Sequence, residues 1–566
     1  MPLAFAESLS TGSYIFLIVA LGLALSFEFV NGFHDTANAV ATVIYTHTLP
    51  PWIAVIWSGL CNLTGVLVSS GTVAYSILAL LPVELVLNVG SGAGFAMIFA
   101  LLISAILWNL GTWYLGLPAS SSHTLIGSIL GVGLANAVMA GHSLMQGLNW
   151  EQVYKVFLSL LISPIVGFVC AGLLLLVLKA LVKDKKLFEP PPKDAPPPWW
   201  IRGTLMLTCT GVSFAHGSND GQKGMGLLLL ILIGILPAEY ALNLNAKSDD
   251  LLKLQTTAAQ VQPILETHAT AAAADPSLQE KVAQETPPTG GMVKAATDQK
   301  GLMSTGPAQE QHGQAVNDAG ELSQYLETGG KLTSHTFSAV AAANRELIDM
   351  LNGKQKLDQV APADRKTLRT DLFLVDQTLS KLNKTHQITA ASEQKIFADY
   401  HKQLDATTKY LPTWIKVAVA MALGLGTMIG WKRIVVTVGE KIGKEHLNYG
   451  QGMAAELVAM ITIGAADKFG MPVSTTHVLS SGVAGTMAAN KSGLQAATLR
   501  NVLLAWVLTL PVCVLLGAAT FSAGLYIVFN HLVPQATAIC MAIALLIIAR
   551  RIWIWMSQSR QTAIAA

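Results

Sequence analysis

The sequence predicts an all-α polytopic membrane protein: two inverted repeats with broken helices and re-entrant hairpins, plus an inserted extramembrane domain that is mainly helical. Three observations lead to this prediction. Hydrophobic residues make up 52% of the 566 positions and charged residues only 12%, against about 25% charged in average soluble domains. Apolar stretches of the roughly 20 residues that cross a bilayer recur along the chain. Two short polar motifs each occur twice within these stretches.

The apolar stretches define the candidate membrane spans, which in chain order are 13–47, 52–81, 93–117, 124–140, 153–182, 203–237, 412–432, 452–470, 478–490, 498–529 and 534–556. Two of them, 13–47 and 203–237, are too long for one straight span, since each would measure roughly 50 Å at 1.5 Å per residue. Each contains glycine, asparagine and aspartate near its middle or later. We therefore expect both to be discontinuous helices that break at this polar motif.

A second repeated motif lies between paired apolar stretches. It reads PASSSH at 118–123 and PVSTTH at 472–477. The stretches that follow, 124–140 and 478–490, are short for full spans. We predict that each motif forms the tip of a re-entrant hairpin.

The distribution of Lys and Arg predicts the orientation in the membrane. Each half would contain three spans and one hairpin, and an odd number of spans inverts the second half relative to the first. The connection 183–202 is rich in Lys, so we place it in the cytoplasm. This assignment puts the N-terminus in the periplasm and the C-terminus in the cytoplasm.

The predicted organisation is a first membrane repeat at 1–182, a cytoplasmic Pro/Lys linker at 183–202, the first broken helix of the second repeat at 203–237, an inserted periplasmic domain at 238–411, the remainder of the second repeat at 412–530, and an extra C-terminal span with a cytoplasmic tail at 531–566. Within the inserted domain, residues 252–300 contain Pro and Gly clusters and are predicted to be partly disordered. Residues 340–411 show helical spacing of apolar residues.

The acid-bearing motifs read NGFHDTANA at 31–39 and HGSNDGQKG at 216–224. Asp35 and Asp220 are ionisable residues in apolar surroundings, where burial is costly unless the group is paired, protonated or coordinated. A single buried aspartate can instead stabilise a helix break by accepting hydrogen bonds from free backbone N–H groups. Two aspartates at matching positions of two halves favour a shared central site.

The residue types around these aspartates suit both a cation and an anion. Carboxylate, amide and hydroxyl oxygens are ligands of hard cations. Hydroxyl and backbone N–H donors at the start of a half-helix form an anion pocket, although Ser and Thr also cap ordinary helix starts. Two related halves that carry polar groups to membrane depth are typical of a secondary transporter.

The repeated Gly-x-x-Asp segments and Pro-x-(Ser/Thr)-(Ser/Thr)-(Ser/Thr)-His tips resemble the inorganic phosphate transporter (PiT) family. The resemblance covers residues 13–240 and 412–530, and the phrases at 31–46 and 216–224 resemble the bacterial low-affinity Pit branch of Gram-negative inner membranes. The family implies symport of phosphate, with sodium in many members. The bacterial branch implies coupling to protons, with phosphate taken as a neutral complex with a divalent metal such as Mg²⁺ and with no resident cofactor.

We predict the site residues by position. Substrate would be bound by Asp35, Asn38, Ser121, Ser122, Thr124, Asp220, Lys223, Ser474, Thr475 and Thr476. The coupling ion or proton would be carried by Glu28, His34, Asp35, Asn219 and Asp220, and the metal would be held by Asp35 and Asp220. Glu28 precedes Asp35 by about two helical turns, so both side chains would face the same side, unless Glu28 faces a wet vestibule.

The two motifs depart from the general family pattern, Gly-Ala-Asn-Asp-x-x-Asn. His34 and Lys223 each replace an asparagine, and the counterpart of Lys223 in the first half is Asn38. A lysine at a cation-ligand position repels sodium at short range. We hypothesise that Lys223 is a tethered counter-ion to Asp220 or to phosphate, and that this departure accompanies proton coupling.

Several residues and alternatives stay open. Glu456 and Asp467 rank lower because they have no counterpart in the first half, and His123 and His477 fit a site or a structural role equally well. The same fold could carry phosphate with sodium, or sulfate, and a sensor or receptor is a further class. Without a nucleotide-binding motif or a nucleophile elbow, neither a primary pump nor an enzyme is expected. The partners expected are phosphate, protons and the bilayer but not nucleic acid, and a homodimer is possible.

Overall fold

The computed structural model describes residues 10–81, 85, 91–192, 196–278, 311–530, 532 and 535, and within these ranges it contains helices and no β-strand. The first half comprises α1 (Thr11–Tyr45), α2 (Pro51–Val68), α3 (Thr72–Leu78), α4 (Gly92–Tyr114), α5 (Ser121–Met139) and α6 (Trp150–Leu181). The second half comprises α7 (Trp199–Ile235), α13 (Thr413–Met428), α14 (Tyr449–Lys468), α15 (Thr475–Asn490) and α16 (Ala496–Phe529). The all-α prediction is confirmed.

Six of the described helices are long and apolar enough to cross a membrane: α1, α2, α4, α5, α6 and α16. A seventh span arises if α13 is joined to the helix before it, Ala391–Thr408, across a bend of 71°. These helices agree with a multi-pass membrane protein. The predicted span 534–556 lies outside the described residues.

The prediction that α1 and α7 break at the acid-bearing motif is wrong, because each runs through its motif as one helix. The glycines of the motifs serve a different purpose. A Cβ at Gly32 would lie 2.6 Å from the carbonyl oxygen of Leu423 on α13, and a Cβ at Gly217 would lie 2.1 Å from that of Asn62 on α2. Each motif glycine therefore permits a close helix crossing, as small residues do between membrane helices.

The helices of the two halves pack in reciprocal pairs. Helix α1 packs on α13 and α7 packs on α2, and likewise α5 packs on α16 and α15 packs on α6. The long helices α6 and α16 each contain an internal proline, Pro164 and Pro511. This exchange of partners agrees with two related halves, whereas the inverted orientation of one half stays a prediction.

The inserted domain is a helical bundle with its own hydrophobic core. Its helices are α8 (Ser248–Ala274), α9 (Gln311–Glu327), α10 (Thr336–Leu351), α11 (Arg365–Lys384) and α12 (Ala391–Thr408). The prediction of partial disorder over 252–300 is wrong for residues 252–274, which belong to α8. Six apolar residues of α8 are buried in the bundle, and Pro263 lies inside the helix without ending it. Residues 279–310 lie outside the described part of the chain.

The segment that joins the halves is docked against the second half. Residues Lys185–Phe188 form a short 3₁₀ helix in which Leu187 is buried. The Asn448 amide nitrogen, just before α14, donates to the Phe188 carbonyl oxygen at 3.2 Å. Residues 193–195 of the proline-rich stretch lie outside the described residues.

Candidate functional site

Asp220 lies at the centre of a buried polar cluster on α7. Its Oδ1 is 2.5 Å from Lys223 Nζ, and its Oδ2 is 3.2 Å from His216 Nε2. These three residues are spaced i−4 and i+3, and they share one face because α7 is continuous through the motif. The Thr475 hydroxyl, from the Ser/Thr-His motif at 472–477 (the second tip), donates to Asp220 Oδ2 at 3.3 Å. The aspartate is therefore buried with an ammonium group, an imidazole ring and a hydroxyl group around it.

Lys223 joins this cluster to the Ser/Thr-His motif at 118–123 (the first tip). The side chain is completely buried, which is rare for lysine unless it is paired. Its ammonium group donates to Ser122 Oγ at 2.5 Å, in addition to its contact with Asp220. The Ser122 hydroxyl in turn donates to the Val473 carbonyl oxygen at 2.8 Å. One buried cation thus connects α7 with residues of both tips.

The two tips begin α5 and α15 in the same way. Ser120 and Ser474 are the N-caps, and each side chain accepts from the backbone N–H three residues later at 3.2 Å. Ser474, a predicted substrate ligand, therefore uses its hydroxyl as a cap. Two helix N-termini, each with a partial positive charge, flank the buried lysine.

Other predicted tip residues are placed differently. Thr124 donates back to the Ser120 carbonyl oxygen at 2.9 Å, which uses its hydroxyl proton within the helix. Ser121 Oγ is buried without a hydrogen-bond partner among the described residues. Thr476 is buried next to Thr475. Ser121 is thus the tip hydroxyl that is left for a ligand.

The two histidines of the tips meet each other. The ring centroids of His123 and His477 are 4.6 Å apart, and His477 stacks on Trp506 at 4.1 Å. The Trp506 indole nitrogen donates to the carbonyl oxygen of Pro118 at 2.9 Å. The second tip is therefore joined to the first through ring contacts as well as through Lys223.

The described side chains in and beside the first-half motif contact other parts of the fold. His34 Nε2 lies 2.8 Å from the backbone carbonyl oxygen of Asn109, so it is joined to α4 rather than to the tips. Glu28 is buried, its Oε2 accepts from the Asn31 amide at 3.4 Å, and its side chain packs against Gly224. The backbone of Asp35 and Asn38 lies in α1, and their side chains lie outside the described part.

Asn219, the second-half counterpart of His34, is also buried. Its amide nitrogen donates to the Met471 carbonyl oxygen at 3.2 Å, just before the second tip, and its Oδ1 has no partner among the described residues. The predicted proton carriers Glu28, His34 and Asn219 are thus all buried, but each contacts a different part of the fold.

Two acidic residues that ranked low in the sequence have defined places. Asp467 accepts from the Ser218 hydroxyl at 2.6 Å and from the Gln222 amide, so α14 is hydrogen-bonded to two residues of the α7 motif. Glu456 is completely buried and accepts from Thr208 at 2.5 Å and from Thr42. Ser218 and Gln222 are one helical turn apart. If α7 had been predicted as continuous, this spacing would have indicated one shared partner for both side chains, which is Asp467.

A separate group of possible metal ligands lies in the inserted domain. Asp376, His401 and Asp405 lie close enough together to hold an ion. His401 Nδ1 contacts Asp376, and Lys409 Nζ is 2.5 Å from Asp405 Oδ1. The hydrogen bond to Asp376 raises the pKa of His401, so these charges balance each other without an ion.

Comparison with known sequences decides the family. The profile of the phosphate transporter family matches residues 31–517 of this chain. The chain belongs to the phosphate transporter family. The resemblance inferred from the repeated motifs is thereby confirmed, and the match includes both acid-bearing motifs and both tips.

Individual relatives support the same assignment. The chain is 42% identical over 523 residues to the low-affinity inorganic phosphate transporter PitB of Escherichia coli (strain K12), covering 90% of this chain and 96% of the relative. It is 40% identical over 526 residues to the low-affinity inorganic phosphate transporter of Buchnera aphidicola subsp. Schizaphis graminum (strain Sg), covering 91% and 97%. A solved structure described as the sodium-dependent phosphate transporter has 17% identity and a TM-score of 0.45, covering 90% and 98%. The family match and the two sequence relatives show that the chain is a transporter and not an enzyme.

The structure brings together Asp220, Lys223, Ser122 and Thr475 from the predicted substrate set. It adds His216, which the sequence analysis did not include because a break was expected beside it. A helical spacing of four residues between His216 and Asp220 is the signal that would have found it.

Proposed function

We propose that this phosphate transporter imports inorganic phosphate together with protons, as a neutral complex of phosphate with a divalent metal such as Mg²⁺. The observation that carries the proposal is the completely buried Lys223, which lies between Asp220 and Ser122 at 2.5 Å from each. A buried ammonium group needs a counter-ion. Asp220 supplies one in this structure, and a phosphate oxygen at the first tip would supply another.

Competition for Lys223 provides a coupling mechanism. Asp220 and phosphate are both anions, and repulsion between them is strong in a site that excludes water. A proton on Asp220 removes its charge and releases Lys223 to the phosphate. Phosphate binding thereby favours proton binding, and by thermodynamic linkage the reverse also holds.

The remaining predicted residues fit around this exchange. Ser121, Ser122, Thr475 and Thr476 would donate to phosphate oxygens at the starts of α5 and α15. Asp35 and Asn38 would face the metal of the complex, which is cargo, while Asp220 carries the proton. Alternating access would come from rocking of α1, α7 and the two tips against the remaining helices.

Purified protein in proteoliposomes tests the coupling ion. We expect phosphate uptake in sodium-free buffer that rises with an inward proton gradient and with Mg²⁺ outside. Uptake that required sodium and ignored the proton gradient would contradict the proposal. Labelled phosphate uptake that unlabelled sulfate suppressed at equal concentration would favour the sulfate alternative.

Lys223→Asn tests the role of the lysine. The variant makes position 223 resemble its first-half counterpart, Asn38, and it leaves Asp220 without its counter-ion. We expect uptake at neutral pH to lose its dependence on the proton gradient, and any remaining uptake to respond to sodium. Lys179→Asn is a matched control, because Lys179 is an exposed lysine on α6. Unchanged proton dependence in Lys223→Asn would refute the mechanism.

A further inference from the structure

A cavity of about 180 Å³ lies where the inserted domain meets α3 and the start of α6. The charged residues of its lining are four cations, Arg369, Lys381, Lys384 and Lys409, and two carboxylates, Glu151 and Asp376. One water needs roughly 10–15 Å³ of such space, so the cavity has room for a small polyatomic ion. The lining therefore has both the volume and the excess positive charge for an anion.

Arg369 is the cation that lacks a carboxylate. Its Nη1 donates to the carbonyl oxygens of Ala241 at 2.8 Å and Thr408 at 3.5 Å, and it forms no ion pair among the described residues. A guanidinium group has five N–H donors in a planar fork. Burial lowers the pKa of Arg369, as expected for a cation whose desolvation is poorly compensated. A bound anion would supply the missing charge.

Two lysines of the lining, Lys381 and Lys384, share one carboxylate, whereas Lys409 pairs with Asp405. Lys381 and Lys384 lie 3.6 Å and 3.5 Å from the Glu151 carboxylate. Lys155 approaches the same carboxylate at 2.7 Å. Three ammonium groups around one carboxylate leave net positive charge at the rim of the cavity.

The cavity is connected to the transport site through α3. Tyr75 of α3 lines the cavity, and its hydroxyl donates to the Tyr410 carbonyl oxygen at 2.8 Å. Val73 of α3 donates through its backbone N–H to Gln222 Oε1 at 2.9 Å. Gln222 is the residue before Lys223, so α3 contacts both the cavity and the α7 motif.

We propose that this cavity is an oxyanion-binding site that holds a phosphate group beside Arg369, Lys381 and Lys384. Two sources share this chemistry: free inorganic phosphate on its way to the transport site, and the headgroup of an anionic phospholipid, for which Leu78, Leu81 and Leu148 provide an apolar wall. A positively lined cleft raises the local concentration of an anionic substrate. The inference rests on the proposed import of phosphate.

Uptake kinetics of the full chain in vesicles of neutral phosphatidylcholine test the site. We expect Arg369→Gln, and separately Lys381→Gln with Lys384→Gln, to raise the phosphate concentration of half-maximal uptake several-fold while the maximal rate is kept. Arg369→Lys keeps the charge and should restore most of the difference. Lys366→Gln is the matched control, because Lys366 is an exposed lysine on the same helix.

A second set of vesicles containing phosphatidylglycerol separates the two sources. If the occupant is a lipid headgroup, the anionic lipid changes the uptake of the wild type but not that of Arg369→Gln, and the variants do not differ in neutral vesicles. If Arg369→Gln equals the wild type in both kinds of vesicle, or if Arg369→Lys is as impaired as Arg369→Gln, the oxyanion site is refuted. Wild-type protein without phosphate uptake would contradict the proposed function instead.

Discussion

The two halves of the membrane region share a helix-packing pattern, but the described polar side chains of their motifs make different contacts. Gly32 and Gly217 occupy matching positions, and each allows its helix to touch a neighbour from the other half. The next positions diverge, since His34 contacts a backbone carbonyl of α4, whereas Asp220 and Lys223 form a buried ion pair. The comparison teaches that the backbone arrangement is duplicated, whereas the polar contacts of the described side chains differ between the two motifs.

Valine at the motif glycines tests the shared packing and should have the largest effect. A Cβ at Gly32 or Gly217 would lie within 2.6 Å of backbone atoms. Backbone contacts cannot yield as side chains do, so we expect more than the roughly 1–3 kcal/mol of ordinary overpacking. Both variants should give little monodisperse protein in size-exclusion chromatography. Gly111→Val on α4 is the control and should be tolerated, because a Cβ there would have no described packing neighbour within 4 Å. If only one of the two motif variants were tolerated, the two halves would not share the same packing.

Asp220→Asn tests the ion pair of the second-half motif. It leaves Lys223 buried without its counter-ion, which typically costs about 3–5 kcal/mol. We expect phosphate uptake to fall by at least about 100-fold, since Lys223 would no longer be exchanged between two anions. The double variant with Lys223→Met should recover thermal stability but not uptake. Near-normal uptake in the single variant would place the coupling elsewhere.

Ser121→Ala and Thr475→Ala compare matching tip positions, with smaller effects. Ser121 Oγ has no partner among the described residues, so its removal should not lower the stability of the unliganded protein. Thr475 donates to Asp220, so its removal should cost about 1 kcal/mol. Both variants should raise the half-saturating phosphate concentration several-fold. Thermal unfolding measures the change in stability, and uptake kinetics measure the change in half-saturating concentration. Equal destabilisation by the two variants would contradict the expected difference between Ser121 and Thr475.

Asp371→Asn concerns the domain inserted in the second half and should have the smallest effect on uptake. Burial and the nearby Glu346 raise the pKa of Asp371 to about 8. The folded domain therefore holds a proton that the unfolded chain releases, so its stability falls as the pH rises from about 4 to 8. The variant should remove this fall, a gain of up to about 4 kcal/mol at pH 7. Hydrogen exchange of α11 amides in the full chain at pH 5 and pH 8 measures the stability of the domain in the wild type and in the variant. The same pH dependence in both proteins would refute the prediction.

Much of the site was predictable from residue types, and its arrangement was not. The repeated motifs identified Asp220, Lys223, Ser122 and Thr475, and the hypothesis that Lys223 is a counter-ion to Asp220 agrees with their contact. Sequence reasoning treated Gly and Asn as helix breakers and so missed His216. In isolation glycine does weaken a helix, by about 1 kcal/mol relative to alanine, but close packing against α2 and α13 offsets that cost.

The sequence by itself determined the class of the protein, because hydropathy and motif repetition are local properties that each segment carries alone. It also determined the family, through motifs that recur in both halves. Only the tertiary structure decided that α1 and α7 are continuous and that one lysine connects α7 to a tip. Those outcomes depend on contacts between distant residues: Gly217 meets Asn62, and Lys223 meets Ser122. No single segment specifies its partner, since the partner is selected by the packing of the whole chain.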